Sequence, residues 1–136
     1  LTDRGRRAER AGYYLHVEPG ECLVAGGLYR PPAPQLKAIR RALLEDAATV
    51  RRILRRPAFV KAFGRELPGA KLKTMPRDVP RDHPDADLLR FTSFEVYRMV
   101  PDREMLSPGF VKNAVRDFRV MSDFVHWLNA ALDRYA

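Results

Sequence analysis

Apolar and polar positions alternate through "YYLHVE": Tyr13, Leu15 and Val17 fall on one side, Tyr14, His16 and Glu18 on the other, the period of two of a half-buried strand. Pro19-Gly20 ends the alternation, since proline presets the first turn position and glycine accepts the positive φ that follows. A second strand is predicted from about Cys22 to Tyr29. Folded back as a hairpin, it puts Cys22 and Val24 on the apolar face, while Leu23, Ala25, Gly27 and Tyr29 join Tyr14, His16 and Glu18.

The period then changes. Pro31, Pro32 and Pro34 lead into a helix with Leu36, Ile39, Leu43 and Leu44 at helical spacing. Asp46 marks a break before a second helix carrying Val50, Ile53 and Leu54. Pro57 opens a short helix through Phe59, Val60 and Phe63, with Gly64 as its C-cap. The stretch "ELPGAKLKTMPRDVPRDHPDADLLR" has little period and reads as a long loop, within which Asp82 and Asp85 have the spacing of a capping pair for a helix through Leu88 and Leu89. A strand is predicted in "FTSFEVYRMV". Ser107-Pro108 then opens the longest helix, its stripe running through Phe110, Val111, Ala114, Val115, Phe118, Met121, Val125, Leu128 and Leu132. The order predicts an α+β domain over residues 1–136: a small antiparallel sheet, formed by an N-terminal β-hairpin and a later strand, packed against several helices with a long C-terminal helix. Residues 1–11 read as a flexible lead-in, and the thin sheet leaves an edge for an oligomer or a further segment to cover.

Composition adds limits. With 46% apolar and 31% charged residues, 136 residues are enough for a core. No run is long and apolar enough for a membrane span or a signal peptide, so a cytoplasmic address is expected. The lone Cys22 has no disulfide partner and sits among apolar neighbours, which marks it as an inert buried thiol. A net charge of +8 favours anionic partners, although 20 Arg against 5 Lys is also what codon bias in a GC-rich genome produces.

Two groups of residues carry chemistry. On the hairpin, Tyr14, His16, Glu18 and Tyr29 stand beside the small Ala25 and Gly27, which leave room; a histidine is a suitable general base, and Glu18 orients it or accepts a proton. In the loop, Lys71, Lys73, Arg77 and Arg81 precede Asp82 and His83, a cationic run suited to phosphate or carboxylate. A third feature, Arg40, Arg41, Arg51, Arg52, Arg55 and Arg56, builds a basic helical surface without interleaved aromatics, the weaker pattern for nucleic acid. His16, His83 and His126 lack the spacing of a metal set, so no metal is expected. Neither G-x-G-x-x-G, a P-loop nor G-x-S-x-G occurs, and no cofactor is expected.

The stretches "GYYLHVEPGECLVAGGLYRP", "LKAIRRAL", "PAFVKAFG", "KLKTMPR", "DHPDADLL" and "LSPGF" together resemble a family of conserved hypothetical proteins of bacteria and fungi, the domain of unknown function DUF2461, from Gly12 onward. The resemblance implies an α+β fold and brings no agreed activity. It also implies that members extend further at the N-terminus, so this chain, which begins with Leu, reads as the C-terminal part of a longer fold. Three readings follow. The first joins the hairpin residues Tyr14, His16, Glu18 and Tyr29 to Lys73, Arg77, Asp82 and His83 around one cleft for a small anion, with His16, Glu18 and His83 as catalytic candidates. The second is polyanion or nucleic-acid binding by the Arg-bearing helices. The third is an interaction domain that depends on a partner at its open edge.

Overall fold

The hairpin forms where the alternation places it. In a computed structural model describing residues 10–136, β1 (Gly12–His16) and β2 (Cys22–Leu28) pair antiparallel, with Tyr14 opposite Ala25 and His16 opposite Leu23. Gly20 takes φ 78°, and the Glu21 amide donates to the Glu18 carbonyl across the turn at 2.8 Å. Strand β3 (Phe94–Val100) adds to the other side of β2, giving the order β1-β2-β3, with Cys22 opposite Val100 and Leu28 opposite Phe94.

The helices are α1 (Ala33–Glu45), α2 (Ala47–Arg55), α3 (Pro57–Phe63), α4 (Ala86–Leu89), α5 (Asp102–Met105) and α6 (Phe110–Tyr135). Asp46 separates α1 from α2 because its carboxylate accepts from the Ala48 and Thr49 amides, starting a new helix. The core lies between the helices and one sheet face: Cys22, Val24, Leu28, Phe94, Val96 and Val100 meet Ile39, Leu43, Phe59, Met121, Phe124 and Leu128. Helix α6 crosses beneath β2, with the Met121 thioether against the bare Cα of Gly26. The fold is therefore the α+β arrangement the periodicity predicts, and among the described residues no helix is long and apolar enough to cross a membrane.

Several local expectations are corrected. Asp82 does not cap α4: the helix starts at Ala86 with Asp85 as N-cap, and the Asp85 carboxylate is drawn away to Arg51 while its amide donates to His83 Nδ1. The third strand starts at Phe94, opposite Leu28, and the Ser93 hydroxyl just before it accepts from the Arg30 amide. Ser107 does not cap α6 but closes α5, donating its hydroxyl to the Glu104 carbonyl. Tyr13, Leu15 and Val17, expected to be inward, are exposed because β1 is an edge strand, and Val111 and Val115 leave the buried stripe of α6 on the same flank. Of the lead-in, residues 1–9 lie outside the described residues. Arg10 pairs with Asp133, and buried Ala11 exchanges two hydrogen bonds with the Asn129 amide.

Candidate functional site

Tyr14, His16, Ala25 and Gly27 share one sheet face, as the alternation predicts, and that face lies opposite the helices. Three rows cross the sheet: His16–Leu23–Met99, Tyr14–Ala25–Tyr97 and Gly12–Gly27–Glu95. His16 and Glu18 are about half exposed, with Nε2 and Oε2 3.1 Å apart. The hydrogen bond with His16 holds the Glu18 carboxyl below its ordinary range. Glu21 comes round the turn, so that one donor atom from each of His16, Glu18 and Glu21 lies within 4.8 Å of the others. The expectation of no metal rested on histidine spacing and overlooked a carboxylate brought in by the turn. Tyr14 is half-buried above Gly12, its phenol pushed up by burial and then by the Glu95 charge, while burial also raises Glu95. Tyr29 is exposed, with the Arg30 guanidinium 5.2 Å from its ring centre.

The loop takes a different place. Residues 70–72 run beside 90–92: the Leu72 amide donates to the Arg90 carbonyl, the Thr92 amide to the Ala70 carbonyl, and Lys71 pairs with Phe91. Arg90 ties the strap down, its guanidinium donating to the Leu72 and Lys73 carbonyls. This attaches the loop at the Phe94 end of β3, whereas His16 stands at the Met99 row, five residues along the sheet and about 17 Å away at strand rise. The loop also packs among helices and not on the open sheet face. Its joint cleft with His16 and Glu18 is therefore corrected: Lys73, Arg77 and Asp82 are exposed at the loop surface, and His83 spends Nδ1 on the Asp85 amide.

What the loop does meet is α2. Arg51, Leu54 and Arg55 from α2, residues 65–67, Lys71, and Asp87, Leu88 and Phe91 surround a cleft of about 290 Å³. Leu54, Leu67, Leu88 and Phe91 make its apolar lining, and Lys71 Nζ stands 4.7 Å from the Phe91 ring centre. Arg51 is fixed by Asp85 at 3.0 Å and Asp87 at 2.7 Å, and these contacts hold Asp87 below its ordinary range. Among the described residues Arg55, Arg65 and Lys71 have no carboxylate partner. Sequence reading missed Arg65 and Glu66 and assigned Arg55 to an outer helix face, because no local spacing signals that α2 and a loop ten residues later close on each other.

The Arg-bearing surface is largely committed internally. Arg40 donates to the Leu89 and Phe91 carbonyls, Arg41 lies over Tyr135, Arg51 holds α4 and Arg56 pairs with Asp123. Cys22 is buried, as expected, with its thiol donating to the Glu18 carbonyl.

No curated protein and no solved structure matches the chain. The family match takes in the hairpin, the K-L-K strap and the D-H-P turn into α4, and extends ahead of Gly12 to the first residue. Matching over residues 1–127, the chain belongs to the family described as conserved hypothetical protein, DUF2461.

Proposed function

We propose that this protein is a binding module for a small organic anion, and that its site is the cleft between α2, residues 65–71 and α4. The observation that carries this reading is the convergence of Arg55, Arg65 and Lys71 on an apolar floor of Leu54, Leu88 and Phe91. Among the described residues these three cations have no ion-pair partner, while Glu66 also lines the cleft; cations so placed favour a carboxylate or phosphate, and the floor favours a compact apolar body attached to it. Arg51 shapes the wall: Asp85 and Asp87 already occupy it, so it positions α4 more than it adds charge. The anionic-ligand reading of the sequence is thus kept and moved from the hairpin to α2, with Lys71 the one residue of the 71–83 run that lines the cleft.

The test uses phenyl phosphate and inorganic phosphate as probes, followed by isothermal titration and amide chemical shifts. Phenyl phosphate is expected to bind more tightly than inorganic phosphate and to shift residues of α2, 65–71 and 88–91. Arg65→Gln and Lys71→Gln each remove one charge-assisted contact and are expected to weaken binding roughly tenfold, an effect that raised salt reproduces. Binding that ignores both substitutions, or shifts confined to the hairpin, would sink the proposal.

A further inference from the structure

The cationic surface of the cleft does not end at Arg55. Ala48, Arg51, Arg52, Arg55 and Arg56 recur three and four apart on α2 and line a shallow groove along its outer side. Arg51 and Arg55 border both hollows and form the ridge between them. The cations around this ridge are of two kinds. Arg51 is held by Asp85 and Asp87, and Arg56 by Asp123, so these two shape the walls. Among the described residues Arg52, Arg55, Arg65 and Lys71 are exposed and have no ion-pair partner. Asp46 lies near enough to feel the Arg52 charge but spends its carboxylate on the Ala48 and Thr49 amides and the Thr49 hydroxyl. Glu66 lines the cleft, and among the described residues no acid lines the groove.

The unpaired cations form a row. Arg65 and Lys71 border the apolar floor, Arg55 stands on the ridge, and Arg52, one turn back along α2, faces the groove. The negative end of the α2 dipole favours cations in its last turn, which accounts for Arg52 and Arg55 singly. It does not account for Arg65 and Lys71, which the following loop brings in to continue the row. A single phosphate seated beside Lys71 would leave Arg52 unanswered across the ridge, whereas two phosphates joined through a bridging oxygen would reach both sides. The floor of Leu54, Leu67, Leu88 and Phe91 offers no hydrogen-bonding side chain, so it suits a hydrocarbon better than a base or a sugar. We propose, resting on the anion-binding reading of this cleft, that its ligand is a diphosphate ester of a compact hydrocarbon. The hydrocarbon lies on the floor, the first phosphate meets Arg65 and Lys71, and the second crosses the Arg55 ridge to Arg52.

The test is isothermal titration of the full chain with isopentenyl monophosphate, isopentenyl diphosphate and inorganic pyrophosphate, in buffer without divalent cations, beside the phenyl phosphate titration above. The diphosphate ester is expected to bind roughly tenfold more tightly than the monophosphate, and more tightly than pyrophosphate, which lacks the hydrocarbon. Arg52→Gln is expected to abolish most of that gain while leaving binding of the monophosphate and of phenyl phosphate unchanged. Arg52 is exposed, so circular dichroism should be that of the parent. Arg103→Gln makes the same change in net charge on α5, which follows the Val100 end of β3, away from the cleft, and is expected to preserve the gain. Equal affinity for the two esters, a gain that survives Arg52→Gln, or a gain lost equally in Arg103→Gln overturns the proposal. With phenyl phosphate still bound in the cleft, any of these leaves the anion site standing and removes the diphosphate alone. Failure of phenyl phosphate to bind removes both. A single-stranded oligonucleotide that displaces isopentenyl diphosphate at lower concentration than the unlabelled ester does would assign the row to nucleic acid and overturn the proposal as well.

Discussion

Arg98→Ala is expected to lower the unfolding free energy by about 3–5 kcal/mol, read as a fall in the urea midpoint at unchanged slope. Arg98 leaves β3 on the helix side and joins two acids: its Nε donates to Asp117 of α6 at 2.8 Å, while its terminal nitrogens take both oxygens of Glu104 of α5 at 3.0 and 2.8 Å. The group ties β3, α5 and α6 at one end of the sheet. Asp117 is 2% exposed and Arg98 is its one cationic partner among the described residues. Removing the guanidinium strands a buried carboxylate, and that desolvation sets the size of the effect. The removed attraction to Glu104 is the smaller part. Arg98→Met with Asp117→Leu, which removes both charges, is expected to recover most of the loss, because a buried pair seldom outweighs good apolar packing. If Arg98→Ala cost under 1 kcal/mol, the pair would be a surface contact in solution.

The same cluster makes part of the stability acid-labile. The Arg98 hydrogen bonds hold the Glu104 carboxyl below its ordinary 4.5, and Arg51 does the same for Asp87 from an ordinary 3.8. Each group binds its proton more weakly folded than unfolded, so its contribution is complete above the unfolded value and is lost as pH falls through the folded one. Unfolding midpoints are expected to decline on acidification below about pH 4.5 and to hold level through neutrality. In Arg98→Ala the decline should be shallower. An equal slope in both proteins would mean that other carboxylates carry it.

Much of this fold can be read in the chain because its signals are local. The alternation from Tyr13 to Glu18, the turn at Pro19-Gly20 and the break at Asp46 each act through sterics or capping within a few residues. The errors fall where partners are distant in sequence. Asp85 was read as completing a capping pair because Asp82 stands three residues away, yet Arg51, in another helix, takes its carboxylate. Tyr13 and Leu15 do fall on the helix side, in the rows of Gly26 and Val24, but alternation does not say how far the helix cover extends toward an edge strand, and they stay exposed. The candidate site failed for the same reason. His16 and Glu18 do share a face, as a two-residue spacing requires, but the loop that was to complete the site closes on α2, and nothing in "KLKTMPR" encodes that choice. The Arg98 cluster went unseen because its residues lie in three separate elements.

Gly27→Ala is expected to cost about 3–5 kcal/mol, for two reasons that act on the backbone and leave no side chain free to yield. Gly27 has φ 123°, a conformation essentially restricted to glycine, and strain of that kind accounts for about 1–3 kcal/mol. A Cβ at this position would also fall on the main chain of β3, inside contact with the Phe94 carbonyl oxygen and 2.7 Å from Glu95 Cα. The pairings of Gly27 with Glu95 and Leu28 with Phe94 would have to open, at the end of the sheet where Leu28 and Phe94 anchor the core. Neighbouring glycines separate the causes. Gly20 shares the positive φ but nothing lies within 4 Å of a Cβ there, so Gly20→Ala should show backbone strain alone, about 1 kcal/mol. Gly12 has neither problem, its nearest neighbour being the Tyr14 hydroxyl at 3.8 Å, and Gly12→Ala should be nearly neutral. At Gly26 a Cβ falls on the sulfur of Met121, which is fully buried, and lies 3.3 Å from the Gly12 carbonyl oxygen, so Gly26→Ala should cost more than Gly20→Ala even though its backbone is unstrained. Chemical denaturation of the four variants gives the ranking directly. If Gly27→Ala proved no worse than Gly20→Ala, β2 and β3 would not approach as closely at Gly27 as the pairing described here requires.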